Sequence, residues 1–162
     1  MEENTENIER KVFELLKRKG MTFASAESCT GGNIAHLITM IPGCSEVFLG
    51  GAVTYATPTK TKVLGVPSRF IETDGVVSRR VAESMAIGTR SLMEADFGVA
   101  TTGVAGPGGG TETTPVGTVW IGVATSEMTV SKLCHFDGER DEVIQQATIE
   151  AYHLLYETIN TQ

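Results

Sequence analysis

The chain of 162 residues predicts a layered α/β domain on a mixed sheet. Apolar residues recur at helical spacing in several segments, short runs of small or β-branched residues lie between them, and the last two such runs read as a hairpin. Alternation of helices and strands favours parallel pairing, whereas the hairpin requires an antiparallel one. The length suits one domain over residues 1–162, burying roughly 70% of its unfolded surface with no disulfide or metal staple.

The elements follow in order. Ile8, Val12, Phe13, Leu15 and Leu16 share a helical face, and Gly20 closes that helix. The small run Thr22 to Ala26 suits a buried strand and leads through Glu27-Ser28-Cys29-Thr30-Gly31-Gly32 into a helix carrying Ile34, Leu37 and Ile38, broken at Pro42-Gly43. A second strand, Phe48 to Ala56, precedes a short helix with Thr57 as N-cap and Pro58 at its first position, ended by Gly65. Past Asp74-Gly75 an extended piece reaches Ser78, the N-cap of a helix holding Val81, Met85 and Leu92. Phe97 to Thr102 reads as the third strand and Gly103 to Pro115 as a glycine-rich loop. Val116 to Thr125 and Val130 to Phe136 form the hairpin, and Asp137-Gly138 opens a long last helix.

Composition narrows the function classes. A net charge of -7, with basic residues gathered only in the short clusters Lys17-Arg18-Lys19 and Arg79-Arg80, argues against nucleic acid as a partner. No run approaches the ~20 apolar residues of a membrane span. The start, Met1 to Arg10, carries four Glu and one Arg, unlike a signal peptide, so a cytoplasmic location is expected. Cys29, Cys44 and Cys134 have no C-x-x-C spacing, and with His36, His135 and His153 they form no recognisable metal-ligand set.

Three segments concentrate reactive or small residues. At the strand-to-helix turn, Ser28 can present its hydroxyl at the sheet edge, where free amides of the next turn would stabilise an oxyanion or a phosphate. Cys29 competes as nucleophile, and small residues there also suit close helix–sheet packing. In the second segment, Lys60 falls in the first turn of a helix, where the dipole and burial both disfavour an ammonium. A neutral lysine can act as general base for a serine. Lys62 points to another face, and Tyr55 at the strand end is placed to relay a proton or orient the lysine; two solvated lysines remain the plainer alternative. In the third segment, five of the eight residues from Gly103 to Gly110 are Gly, so backbone amides there can approach an anion, although no Gly-Lys-Ser/Thr follows and a lid or simple connection reads equally well. Ser-His-Asp chemistry has no support in the spacing of the histidines.

Taken in order, Ala26-Glu27-Ser28-Cys29-Thr30-Gly31-Gly32, Pro42-Gly43-Cys44-Ser45, Gly51-Ala52-Val53-Thr54-Tyr55 with Lys60, Gly75-Val76-Val77-Ser78, Thr102 to Thr111 and Pro115-Val116-Gly117-Thr118-Val119-Trp120 resemble the C-terminal domain of the CinA family from about residue 8 onward. The resemblance implies a three-layer α/β/α sandwich on a mixed, mostly parallel sheet of about five strands. Stand-alone members of that family are nicotinamide mononucleotide amidohydrolases, commonly homo-oligomeric, needing no metal or cofactor. It further implies Ser28 as nucleophile with Lys60 and Tyr55 as activating partners. Thr30, Gly31, Ser45, Thr102, Gly103, Gly106 and Arg140 would line the site of a small-molecule nucleotide substrate. The chain departs from the family pattern at Thr57, where Asn is usual, and at Thr114 and Ile144, where many members are basic. A non-catalytic nucleotide-binding module of the same fold is the alternative.

Overall fold

The computed structural model describes residues 7–162; the acidic stretch 1–6 lies outside the described residues. Helix α1 (Ile8–Lys19) precedes strand β1 (Phe23–Glu27), followed by α2 (Asn33–Thr39), β2 (Phe48–Val53), α3 (Thr57–Leu64), α4 (Ser68–Asp74) and α5 (Arg79–Met93). Strands β3 (Phe97–Gly103), β4 (Thr118–Ala124) and β5 (Thr129–His135) and helix α6 (Arg140–Asn160) complete the chain. The sheet runs β2-β1-β3-β4-β5; β1 is parallel to β2 and β3, and β4 is antiparallel to both β3 and β5. All strands but β4 therefore point the same way, and the sheet is mixed and mostly parallel.

Two apolar clusters cover its faces. On one side Val12, Leu16, Ile34, Ile38, Tyr152, Leu155 and Ile159 from α1, α2 and α6 pack over Phe23, Phe97, Val119 and Ile121. On the other, Leu64, Val81, Met85 and Ala86 from α3 and α5 meet Ala26, Ala100 and Ala124, with Phe70 and Ile71 of α4 against them. These are the three layers. The central strands β1 and β3 are buried almost throughout, which explains why FASAE and FGVATTG read as small, nearly continuous apolar runs. Helix α5 lies so close to the sheet that a Cβ on Gly122 would stand 2.8 Å from the Ala82 carbonyl oxygen, and one on Gly98 would collide with that of Ala86.

Several boundaries differ from the sequence expectation. Thr57 is the first residue of α3 and not its cap; Ala56, extended at φ -75°, ψ 136°, holds the cap position with no side-chain bond. The Thr59 hydroxyl donates to the Ala56 carbonyl (2.5 Å), so the first turn is tied from inside the helix. Strand β2 ends at Val53, three residues early, because the carbonyls of Thr54 and Tyr55 turn toward Lys60. Helix α4 is an additional element, only seven residues long and stabilised by docking Phe70 and Ile71. Helix α6 begins at Arg140, since Glu139 and Glu142 form a reciprocal capping box immediately after Gly138. Ser78 caps α5 as expected, accepting from the Val81 amide.

The chain passes from β1 outward to β2 and then returns to β3 on the opposite side of β1. A reversal of this kind opens a crevice at the carboxyl ends of the strands, where α/β sheets place their ligands. Gly122→Ala is expected to lower the unfolding free energy by about 1–3 kcal/mol, because the α5 backbone must move for the extra methyl; urea denaturation measures it.

Candidate active site

The carboxyl ends of β1, β2 and β3 bring Ser28, Thr54-Tyr55 and Thr101-Thr102-Gly103 together. The Ser28 amide donates to the Thr101 carbonyl (3.2 Å) and the Thr54 amide to that of Glu27 (2.9 Å), so all three strand ends are joined. From α3, Lys60 reaches back beneath them. Its side chain is 1% exposed, with Nζ 2.6 Å from the Thr54 carbonyl oxygen, 3.5 Å from that of Tyr55 and 3.1 Å from Ser28 Oγ. No carboxylate pairs with Lys60 among the described residues. Burial lowers its pKa below the ordinary 10.5, opposed by the neighbouring Cys29 thiol. In the free amine, two N–H bonds serve the two carbonyls and the lone pair faces the Ser28 hydroxyl. Lys62, by contrast, is exposed.

Cys29 is 5% exposed and packs in the core. Burial pushes its thiol up to about 12, although a hydrogen bond to Thr101 works the other way. The thiol is protonated at ordinary pH and is a poor nucleophile beside Ser28. Ser28, at 9% exposure, keeps a small opening.

Glu27 was not singled out by spacing, yet it organises the turn. Its carboxylate is 1% exposed and accepts from the Thr30 hydroxyl (2.7 Å) and the amides of Ile34 (2.8 Å) and Ala35 (3.1 Å). The amides at the start of α2, expected to be open to an anion, are thus already filled by a side chain of the protein. Those of Cys29, Thr30 and Gly32 have no hydrogen-bond partner among the described residues. Only the Thr30 position at three residues' remove hinted at Glu27; its other partners are backbone groups.

The other expected site residues separate into groups. Gly103 and Gly106 line a cavity of about 430 Å³ with Tyr55, Val76, Thr111, Thr114 and Arg140. Thr30 and Gly31 line a second, more open one of about 620 Å³ with Asn33, Asp141, Ile144 and Gln145. Ser28 and Lys60 are on the wall of neither, though Thr30 of the second cavity lies two residues after Ser28 and Tyr55 of the first five residues before Lys60. The Tyr55 side chain is 56% exposed and its phenol oxygen accepts from Arg140 Nη2 (2.7 Å), so its hydroxyl is directed to that arginine and only its backbone carbonyl faces Lys60. Arg140 Nη1 donates to the Gly106 carbonyl (2.6 Å). Thr102 is buried and donates to the Val76 carbonyl (2.9 Å), fixing that stretch against β3. Ser45, exposed in a short 3-10 turn (Cys44–Glu46) before β2, lies at the opposite end of the sheet from Ser28, about 17 Å of strand away.

Comparison with known proteins places the chain in a family. Residues 5–159 match the CinA C-terminal domain. The chain belongs to that family. It is 46% identical over 141 residues to a CinA-like protein of Geotalea uraniireducens, covering 87% of this chain and 34% of that one. It is 44% identical over 138 residues to a CinA-like protein of Synechocystis sp., covering 85% and 33%. The chain therefore spans about a third of the length of these curated relatives. Among solved structures it resembles the competence/damage inducible protein CihA from Agrobacterium tumefaciens, with TM-score 0.90 and 35% identity over 94% of this chain and 93% of that one. A CinA superfamily protein from Escherichia coli superposes with TM-score 0.88 and 32% identity, covering 97% and 94%. Among the described residues no His/Cys/Asp/Glu cluster could hold a metal, and no helix is long and apolar enough to cross a membrane.

The lowered pKa of Lys60 links the site to stability. The native chain holds fewer protons than the unfolded one over a window that ends at 10.5, so the unfolding free energy rises with pH across it. Lys60→Met is expected to remove that increment, read as the difference between urea titrations of the two proteins at a series of pH values below 10.5.

Proposed function

We propose that this single CinA-type domain is a Ser-Lys amidohydrolase that converts nicotinamide mononucleotide to nicotinic acid mononucleotide and ammonia, in pyridine nucleotide salvage, acting in the cytoplasm as a homo-oligomer. The observation that carries the reading is the buried, uncompensated Lys60 amine 3.1 Å from Ser28 Oγ. Neutral Lys60 takes the Ser28 proton as Oγ attacks the carboxamide carbon. The negative charge developing on the carbonyl oxygen is received by the unpartnered amides beside Ser28, those of Cys29 and Thr30. The Lys60 ammonium then gives its proton to the departing nitrogen, the C–N bond breaks and ammonia leaves an acyl-Ser28 ester. Lys60 next takes a proton from water; the hydroxide attacks the ester, and the proton returns to Ser28 as the acid is released.

The cavity holding Tyr55, Val76, the Gly103–Gly106 segment and Arg140 supports binding of the nucleotide portion. Arg140 is the cation on that wall with donors to offer an anion, while Thr114 there and Ile144 on the second cavity contribute no charge. A second reading, a nucleotide-binding module without turnover, is motivated by the absence of charge at Thr114 and Ile144 and draws support from Ser28 and Lys60 lying on the wall of neither cavity.

Ammonia release from nicotinamide mononucleotide separates the two. Ser28→Ala and Lys60→Ala should each lower kcat by about 10³-fold or more with the fold intact. The wild-type rate should decline about tenfold per pH unit once Lys60 is protonated. Calorimetric binding without ammonia release in the wild type would favour the binding module, and full release by Ser28→Ala would exclude the acyl-enzyme.

A further inference from the structure

We infer that Glu27 is a positioning residue for the Ser28 nucleophile, an inference that rests on the amidohydrolase reading. Glu27 ends β1 immediately before Ser28, and both carboxylate oxygens are used. Oε1 accepts from Thr30 Oγ1 and the Ile34 amide, and Oε2 from the Ala35 amide. The Thr30 hydroxyl hydrogen is thereby committed to Glu27, so the 2.8 Å contact between Thr30 and Thr101 has Thr101 as donor. A directed chain runs from Thr101 on β3 through Thr30 to Glu27 and the first turn of α2. Ser28 sits inside this loop, with its own amide bonded to the Thr101 carbonyl.

The residue before the nucleophile and the residue two after it are thus held by one carboxylate. That fixes the direction in which Ser28 leaves the strand and keeps Oγ opposite Lys60. It also divides the amides of the turn: Ile34 and Ala35 are filled, while those of Cys29 and Thr30, next to the reacting atom, stay unpartnered. An acyl group is thereby directed to the amides beside Ser28 and excluded from the start of α2. Helix capping alone does not require a buried carboxylate, because a Ser or Asp at the cap position would serve; here the cap position is Gly32, and the carboxylate comes from the preceding strand.

The test is Glu27→Gln, which keeps the length and one acceptor oxygen but turns an N–H2 group toward a backbone N–H. Thr30→Val removes one donor and leaves both amide bonds, and it carries the test if Glu27→Gln does not fold. Three readouts are taken on the full chain below its melting temperature: the rate of Ser28 phosphonylation by a fluorophosphonate probe, kcat and KM for ammonia release from nicotinamide mononucleotide, and Tm. Expected are phosphonylation and kcat lower by about 100-fold in Glu27→Gln, as for a reacting group displaced by about 1 Å, with KM changed far less. Thr30→Val should show a smaller loss in the same direction. Phosphonylation of folded variant at the wild-type rate, with only Tm reduced, would make Glu27 merely structural and overturn the inference. Labelling of Ser28 with no ammonia release from the wild type would defeat the amidohydrolase reading alone, and the probe rates would still decide the role of Glu27. Absence of Ser28 labelling in the wild type would overturn both.

Discussion

A lysine amine enclosed at the carboxyl ends of three strands, with no carboxylate opposite it among the described residues, is the constraint around which the Ser28 end of the molecule is arranged. An ammonium in that position would have only two backbone carbonyls and one hydroxyl to offset the loss of its hydration, so burial lowers the pKa of Lys60. The amine form relieves the imbalance, and the hydroxyl of Ser28 becomes its natural partner. Other local features follow from this requirement. Strand β2 stops early so that two of its carbonyls can face inward, and α3 starts at Thr57 so that Lys60 completes its first turn under Ser28. Cys29, packed against the same amine, is held as a neutral thiol.

The sheet divides its labour along its width. The parallel half, β2-β1-β3, supplies every strand end that meets Ser28 or Lys60, while the antiparallel half, β4-β5, extends the core and carries no group of the pair. Helix α6 connects the halves. Tyr152 donates from its buried ring hydroxyl to the Ile34 carbonyl of α2, and Arg140 at the other end of the helix reaches Tyr55 and Gly106. One helix therefore braces the element that follows Ser28 and also closes one side of the neighbouring cavity.

Much of the fold is legible in the sequence because periodicity and glycine placement are local signals. Gly20, Gly65 and Ser78 stand where helices stop and start, and the small residues of β1 and β3 mark the buried centre of the sheet. Position at the ends of regular elements marks Ser28 and Lys60 only as candidates, beside Cys29 and a pair of solvated lysines; the family resemblance is what selects them. What was not legible depends on contacts between distant segments. The role of Glu27 is made by backbone amides of a helix seven residues away, and Thr102 is spent on a carbonyl from residue 76. Helix α4 is too short to announce itself and exists through the burial of two side chains. The displacement of Ser45 from Ser28 follows from parallel pairing, which sends the chain back along α2 before it enters β2.

The choice of oxygen over sulfur at this turn bears on survival under oxidative stress. Oxidants attack thiolates, and the sulfur of Cys29, next to Ser28 in the chain, is buried and kept protonated. The half-buried Cys44 lies just before β2, at the opposite end of the sheet from Ser28. On the proposed reading, peroxide reaching the protein would meet a hydroxyl that has no sulfenic acid to form and a neighbouring thiol that is slow to react, so the turn around Ser28 would retain its chemistry under conditions that silence cysteine hydrolases.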